Sequence, residues 1–142
     1  MTTEFNWSKR SLNELAQVHP LLRELCDRAL ELSPYDFMIT DGGRTIEEQR
    51  HYVAVGASQT MHSNHLIQSD GYAYAIDFAV IVNGKVRWEE VWYKPVADAF
   101  KEAAKQLSIH IVWGGDWVTF KDGPHIELDR KFYPRQEKTQ DV

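Results

Sequence analysis

The chain has 142 residues, with 16 Lys and Arg against 21 Asp and Glu for a net charge of -5, and its only cysteine is Cys26. That length fits one domain able to bury roughly two thirds of its unfolded surface, and an acidic balance with no block of like charge excludes an electrostatic nucleic-acid binder. A lone cysteine also excludes an internal disulfide and a zinc-thiolate cluster, so a metal site has to draw on His, Asp and Glu.

The N-terminal run MTTEFNWSKRSLNELAQ has no apolar stretch of signal-peptide length, and no run of about 18 apolar residues occurs anywhere. This predicts a protein made in the cytoplasm without an export signal or membrane anchor. Ser11 with Glu14 reads as a capping box for a short helix, and Pro20 as the first residue of a second helix with Leu21, Leu22, Leu25 and Ala29 on its inner side. Ser33-Pro34 stops that helix, and Phe37-Met38-Ile39 follows as a short buried strand. After the Gly42-Gly43 turn, a second capping box from Thr45 to Glu48 opens a helix that ends near Gly56, which places Arg44 at a strand-to-helix corner.

Downstream, AYAIDFAVIVNGKVRW joins two β-rich runs through Asn83-Gly84, the pair a tight hairpin turn prefers, and predicts a hairpin over 73–88. A helix from about Pro95 to Leu107 buries Val96, Ala99, Phe100, Ala103 and Leu107, and Ile109–Trp113 and His125–Leu128 read as further strands. The order ααβα, hairpin, αββ predicts an α+β domain with an antiparallel sheet and flanking helices. No repeat or low-complexity linker divides the chain. Residues 1–134 therefore read as one domain and residues 135–142, RQEKTQDV, as a polar tail.

The chemistry-bearing residues gather in and after HSNHLIQSDGYAYAID, residues 62–77. Strand alternation sends Ile76, Phe78 and Val80 to one face and Asp77 to the other, and in PHIEL it sends Ile126 and Leu128 inward with His125 and Glu127 opposite. Two strands thus offer a carboxylate and an imidazole to one cleft, and His65 from the preceding loop adds a second nitrogen. Two nitrogens and an oxygen suit a catalytic zinc with its fourth position open. Asp122, three residues before His125, is close enough to act as a base. His62 is an alternative ligand, and Asp116 either orients a metal-bound histidine or caps its turn. Ser63 orients substrate or water or is merely solvated. Trp113 and Trp117 wall the cleft or belong to the core. His19, His51 and His110 read as ordinary hydrogen-bonded histidines.

The blocks TDGGRTIEEQRHYVAVGASQTMHSNH, AYAID, WGGDW and FKDGPHIEL, in that order over about residues 35–130, resemble the peptidase M15 family. The similarity is to its phage-endolysin L-alanyl-D-glutamate peptidases, relatives of the D-Ala-D-Ala carboxypeptidases. The family signature SxH…AxD…DxxH reads here as Ser63-Asn64-His65, Ala75-Ile76-Asp77 and Asp122-Gly123-Pro124-His125. The resemblance implies a hedgehog/DD-peptidase fold, Zn2+ on His65, Asp77 and His125, Asp122 as catalytic acid/base, and Arg44 in DGGRT as a substrate contact. Asp77 follows His65 by more than the family's usual spacing, which brings Asp70 forward as an alternative. Asp77 is preferred because AID follows the AxD pattern and begins the hairpin, whereas Asp70-Gly71 reads as a turn.

The function this implies is a monomeric zinc endopeptidase that cuts between L-Ala and D-Glu in the peptide stems of bacterial peptidoglycan. As a phage or prophage lysis enzyme it would wait in the host cytoplasm and reach the wall through a holin pore. The competing expectations are a D,D- or L,D-carboxypeptidase of the same family, and a zinc-containing binding module without catalysis. Asp122 argues against the last, because a binder needs no base beside its metal.

Overall fold

The computed structural model describes residues 5–56, 63–118 and 121–135. In chain order the elements are α1 (Lys9–Leu15), α2 (Pro20–Leu32), β1 (Asp36–Asp41), α3 (Ile46–Ala54), β2 (Ala75–Val82), β3 (Lys85–Arg87), α4 (Tyr93–Leu107), β4 (Ile111–Trp113) and β5 (His125–Leu128). The expected α+β class and the expected order of elements are both borne out. All strand pairings are antiparallel, in the order β1-β2-β5-β4, and β3 shares with β5 the edge of β2 that β1 does not use.

Local chemistry explains most of the boundaries. Asn83 and Gly84 both take positive φ, as a two-residue hairpin turn requires, and join β2 to β3. Pro20 occupies the first turn of α2, where its missing N–H costs nothing, and the His19 ring accepts from the Leu21 N–H at 3.1 Å as the cap. The capping box of α3 is complete: Thr45 Oγ1 accepts from Glu48 N and Glu48 Oε1 accepts from Thr45 N. Helix α4 begins at Tyr93, two residues before the expected Pro95, because a proline is tolerated in the first turn, whose N–H groups have no intrahelical acceptor.

The box expected from Ser11 and Glu14 does not form. Ser8 caps α1 instead, accepting from Ser11 N. Both expected members are used at long range: Ser11 Oγ accepts from Ile39 N at 3.0 Å and Glu14 Oε1 accepts from Gly42 N at 2.8 Å. These two bonds fasten β1 and the glycine turn after it to α1.

The core lies between one face of the sheet and helices α2 and α4. Ile76, Phe78 and Val80 of β2 are fully buried, as alternation predicts, and Phe37, Phe78, Phe100 and Tyr93 form an aromatic cluster with centroids 5.2–5.7 Å apart. Leu22, Leu25, Cys26, Ala29 and Leu30 supply the α2 side, while Leu21 is only partly buried. Tyr93 reaches across with its hydroxyl, donating to the Arg87 carbonyl and accepting from Val80 N, which pins the hairpin to α4. No helix among the described residues is long and apolar enough to cross a membrane. Arg135, the first residue of the expected tail, donates to the Ser63 carbonyl at 2.6 Å, and residues 136–142 lie outside the described residues.

Candidate metal centre

Three chain segments meet on the sheet face opposite the core. β2 brings Asp77 and β5 brings His125, and the two are direct cross-strand partners. The third is the loop after residue 62, where the Arg44 N–H donates to the His65 carbonyl at 2.7 Å and the Ile67 N–H donates to the Arg44 carbonyl at 2.9 Å. A short parallel bridge thus ties the Gly42-Gly43-Arg44 turn to the His65 loop. On its other side the loop is held by Tyr74 N donating to the Asn64 carbonyl.

The result is a compact donor set. His65 Nε2 and His125 Nδ1 each lie 3.2 Å from Asp77 Oδ1, and the ligand atoms of the three residues all lie within 4.8 Å of one another. The two rings present opposite nitrogens to the centre, and each outer nitrogen has an acceptor. His65 Nδ1 donates to the Gly42 carbonyl at 3.0 Å, and His125 Nε2 donates to Glu127 Oε1 at 2.7 Å. That leaves the inward nitrogens as lone-pair donors beside a carboxylate, the arrangement a divalent metal needs. Among the described residues this is the group of His, Cys, Asp and Glu side chains able to hold a metal ion.

The electrostatics agree. Burial raises the Asp77 carboxyl, but the charge and hydrogen bonds of His65 and His125 outweigh it and hold that carboxyl far below the usual carboxylate range. Burial lowers His125, yet its bonds to Asp77 and Glu127 lift it to about 9. The carboxylates of Asp77 and Glu127 thus favour positive charge at the centre.

Arg44 stands at the edge of this group. Its Nε donates to Asp41 Oδ2 at 2.8 Å, one terminal nitrogen lies 2.6 Å from the same oxygen, and the other donates to Gln49 Oε1 at 3.0 Å. The guanidinium also stacks 4.3 Å over the Tyr52 ring and approaches Asp77 Oδ2 at 3.8 Å. Gln49 is fully buried inside α3 and was not singled out in the sequence.

Asp122 is half-buried on the loop before β5, its N–H donating to the Gly114 carbonyl and its carbonyl accepting from His125 N. Burial raises its carboxyl, the Asp77 charge adds to this, and His125, His65 and Arg44 oppose it, so its carboxyl is in electrostatic reach of all four. Gly114 permits the close approach: a Cβ there would collide with the Asp122 carbonyl and stand 3.0 Å from the His125 Cβ. Trp117 packs against the His125 ring at 5.0 Å, while Trp113 is buried and donates its Nε1 to the Gly123 carbonyl.

The remaining candidates sort themselves by contact. Asp70 is spent on the Tyr74 hydroxyl at 2.5 Å and on Tyr72 N, outside the ligand group. Ser63 Oγ accepts from His65 N at 3.1 Å, holding the turn that carries that histidine. Asp116 pairs with Lys101 at 2.8 Å, whereas the outer nitrogen of His125 meets Glu127. His19 caps α2 and His110 stacks on Phe132. His62 lies outside the described residues.

Comparison with known proteins gives a consistent set of relatives. A family model described as phage L-alanyl-D-glutamate peptidase matches residues 3–135. The L-alanyl-D-glutamate peptidase of Escherichia phage T5 is 38% identical over 133 residues, covering 91% of this chain and 93% of that protein. The peptidoglycan L-alanyl-D-glutamate endopeptidase CwlK of Bacillus subtilis (strain 168) is 31% identical over 137 residues, covering 80% and 74%. In three dimensions the chain is similar to the crystal structure of Serratia marcescens L-Ala D-Glu endopeptidase ChiX, with TM-score 0.83, 37% identity and coverage of 92% and 95%.

Proposed function

The chain belongs to the phage L-alanyl-D-glutamate peptidase family, and from that premise we propose that it is a zinc-dependent endopeptidase that hydrolyses the L-alanyl-D-glutamate bond in the peptide stem of bacterial peptidoglycan. The observation that carries the metal dependence is the donor set of His65, Asp77 and His125, with the outer nitrogen of each imidazole already engaged. Two imidazole nitrogens and one carboxylate oxygen suit zinc, and they leave room for a reacting group at the fourth position.

His65 Nε2, His125 Nδ1 and an Asp77 oxygen would hold the zinc, which supplies Lewis acidity to the scissile carbonyl and makes water acidic enough to attack at neutral pH. Asp122 accepts a proton from the attacking water and delivers it to the departing amine of D-glutamate. Burial and the Asp77 charge raise its pKa, which favours its taking up the proton of the attacking water. Arg44 contacts a substrate carboxylate or the developing oxyanion with the part of its guanidinium that Asp41 and Gln49 do not take. Ser63 holds the His65 turn through its oxygen and meets substrate through its O–H.

The similarity to proteins named as L-alanyl-D-glutamate endopeptidases favours this reading over a carboxypeptidase. In a lytic cycle the enzyme would remain in the host cytoplasm until a holin pore admits it to the wall, acting as a monomeric domain over residues 1–134. Zinc stoichiometry tests the metal assignment: the purified protein binds a single equivalent, and His65→Ala or Asp77→Asn removes it. Peptidoglycan hydrolysis by protein stripped of all metal would contradict it.

A further inference from the structure

We propose that Glu127 is a positioning residue that fixes His125 as an Nδ1 ligand, and that with Asn64 it locks the two histidine-bearing segments together. The inference rests on reading the site as a zinc centre. Glu127 is 8% exposed, in the middle of β5, and a buried carboxylate is costly unless donors surround it. Three donors do so. His125 Nε2 lies 2.7 Å from Oε1, while Asn64 Nδ2 and Arg130 Nε lie 3.4 and 3.6 Å from Oε2.

The geometry follows from the strands. His125 and Glu127 share a face of β5, two residues apart, and the cross-strand partner of His125 is Asp77. Once the outer ring nitrogen is drawn along the strand to Glu127, the other is aimed across the strand pair at Asp77. Glu127 has Val112 as its partner on β4 and Ala75 as its partner on β2, and the small Ala75 methyl leaves space on the β2 side to the carboxylate. This assigns a physical reason to the alanine of the AID run.

His65 is held differently, because its outer nitrogen donates to the backbone carbonyl of Gly42, which no side-chain substitution removes. Only the His125 side of the centre therefore depends on a replaceable acceptor. Asn64, immediately before His65, also points its amide toward the Leu128 carbonyl, so the Glu127 carboxylate and the end of β5 receive the His65 loop together.

The test compares wild-type protein with Glu127→Gln and Glu127→Asp, each checked for a cooperative melt. Zinc affinity is read by competition with a chromophoric chelator, and the imidazole N–H protons of the zinc-loaded forms are read by 15N-edited NMR. Both variants should bind zinc about 10–100-fold more weakly. In Glu127→Asp, whose shorter carboxylate withdraws from the ring, the His125 Nε2–H signal should be lost to solvent exchange while the His65 Nδ1–H signal persists. Unchanged zinc affinity with both N–H signals intact in folded variants would overturn the role of Glu127 and leave the zinc reading standing. Wild-type protein that binds no zinc would overturn the zinc reading itself, and this inference with it.

Discussion

The backbone N–H of Arg44 donates to the carbonyl oxygen of His65 at 2.7 Å, so the residue expected to hold substrate and a residue expected to hold metal are fastened to each other through main chain. Both depend on the Gly42-Gly43 turn. Gly42 lends its carbonyl to His65 Nδ1, and a Cβ on Gly42 would run into the Glu14 carbonyl at the end of α1. A movement of the turn therefore shifts the guanidinium and the imidazole together.

Arg44→Lys should lower kcat/KM on a soluble muropeptide by about 100-fold or more, the usual consequence of removing a charged donor from the transition state. Lysine cannot reach Asp41 and Gln49 at once or cover the Tyr52 ring as the planar guanidinium does. Steady-state kinetics of the zinc-loaded variant measure this, and wild-type kinetics would remove Arg44 from the substrate contact.

Asp122→Asn should keep its zinc and lose about 100- to 10,000-fold in kcat, since the amide can neither take nor return a proton. Metal analysis and hydrolysis are read on the same sample. Hydrolysis retained by a zinc-loaded variant would take the acid/base role away from Asp122.

Gly114→Ala should destabilise the protein by about 1–3 kcal/mol, the typical cost of forcing a methyl into a filled space. The methyl would meet the Asp122 carbonyl and the His125 Cβ, so zinc affinity should fall along with the melting temperature. A variant with wild-type melting and zinc affinity would show that the loop has more room than the structure gives it.

His19 gives a pH dependence away from the centre. Its ring must be neutral to accept the Leu21 N–H, and burial, opposed by the Asp70 charge, lowers its pKa below the ordinary 6.5. A histidine whose folded pKa is depressed contributes stability that is complete above the unfolded pKa and fades as pH falls through the folded one. The stability advantage of the wild type over His19→Ala, about 1 kcal/mol at pH 7.5 for a helix cap, should therefore shrink by pH 5. Chemical denaturation of the metal-free proteins at the two pH values measures it, and an advantage that grows on acidification would contradict the cap.

Local chemistry carried much of the fold and the centre of the site into the sequence. Asn83-Gly84 signalled its turn because few residue pairs accept two positive φ values, and Thr45 with Glu48 signalled α3 because both partners lie within one helical turn. The strand period brought Asp77 and His125 to one face, where they are now seen paired. Long-range polar bonds were not legible. Ser11 and Glu14 have capping-box spacing but serve Ile39 and Gly42, more than 25 residues away, and Asp116 answers to Lys101 on α4. Gln49 carried no signal of its own in the sequence, and only the structure shows that it accepts from Arg44. Glu127 was already on the face of His125 by alternation, yet only the structure shows which acceptor that ring uses.

The most direct test of the whole account is mass spectrometry of the fragments released from purified peptidoglycan by native protein, by protein treated with EDTA, and by treated protein given zinc back. The account predicts new N-terminal D-glutamate that vanishes with EDTA and returns with zinc. Release of only a terminal residue, or no cleavage by a folded, zinc-loaded sample, would contradict it.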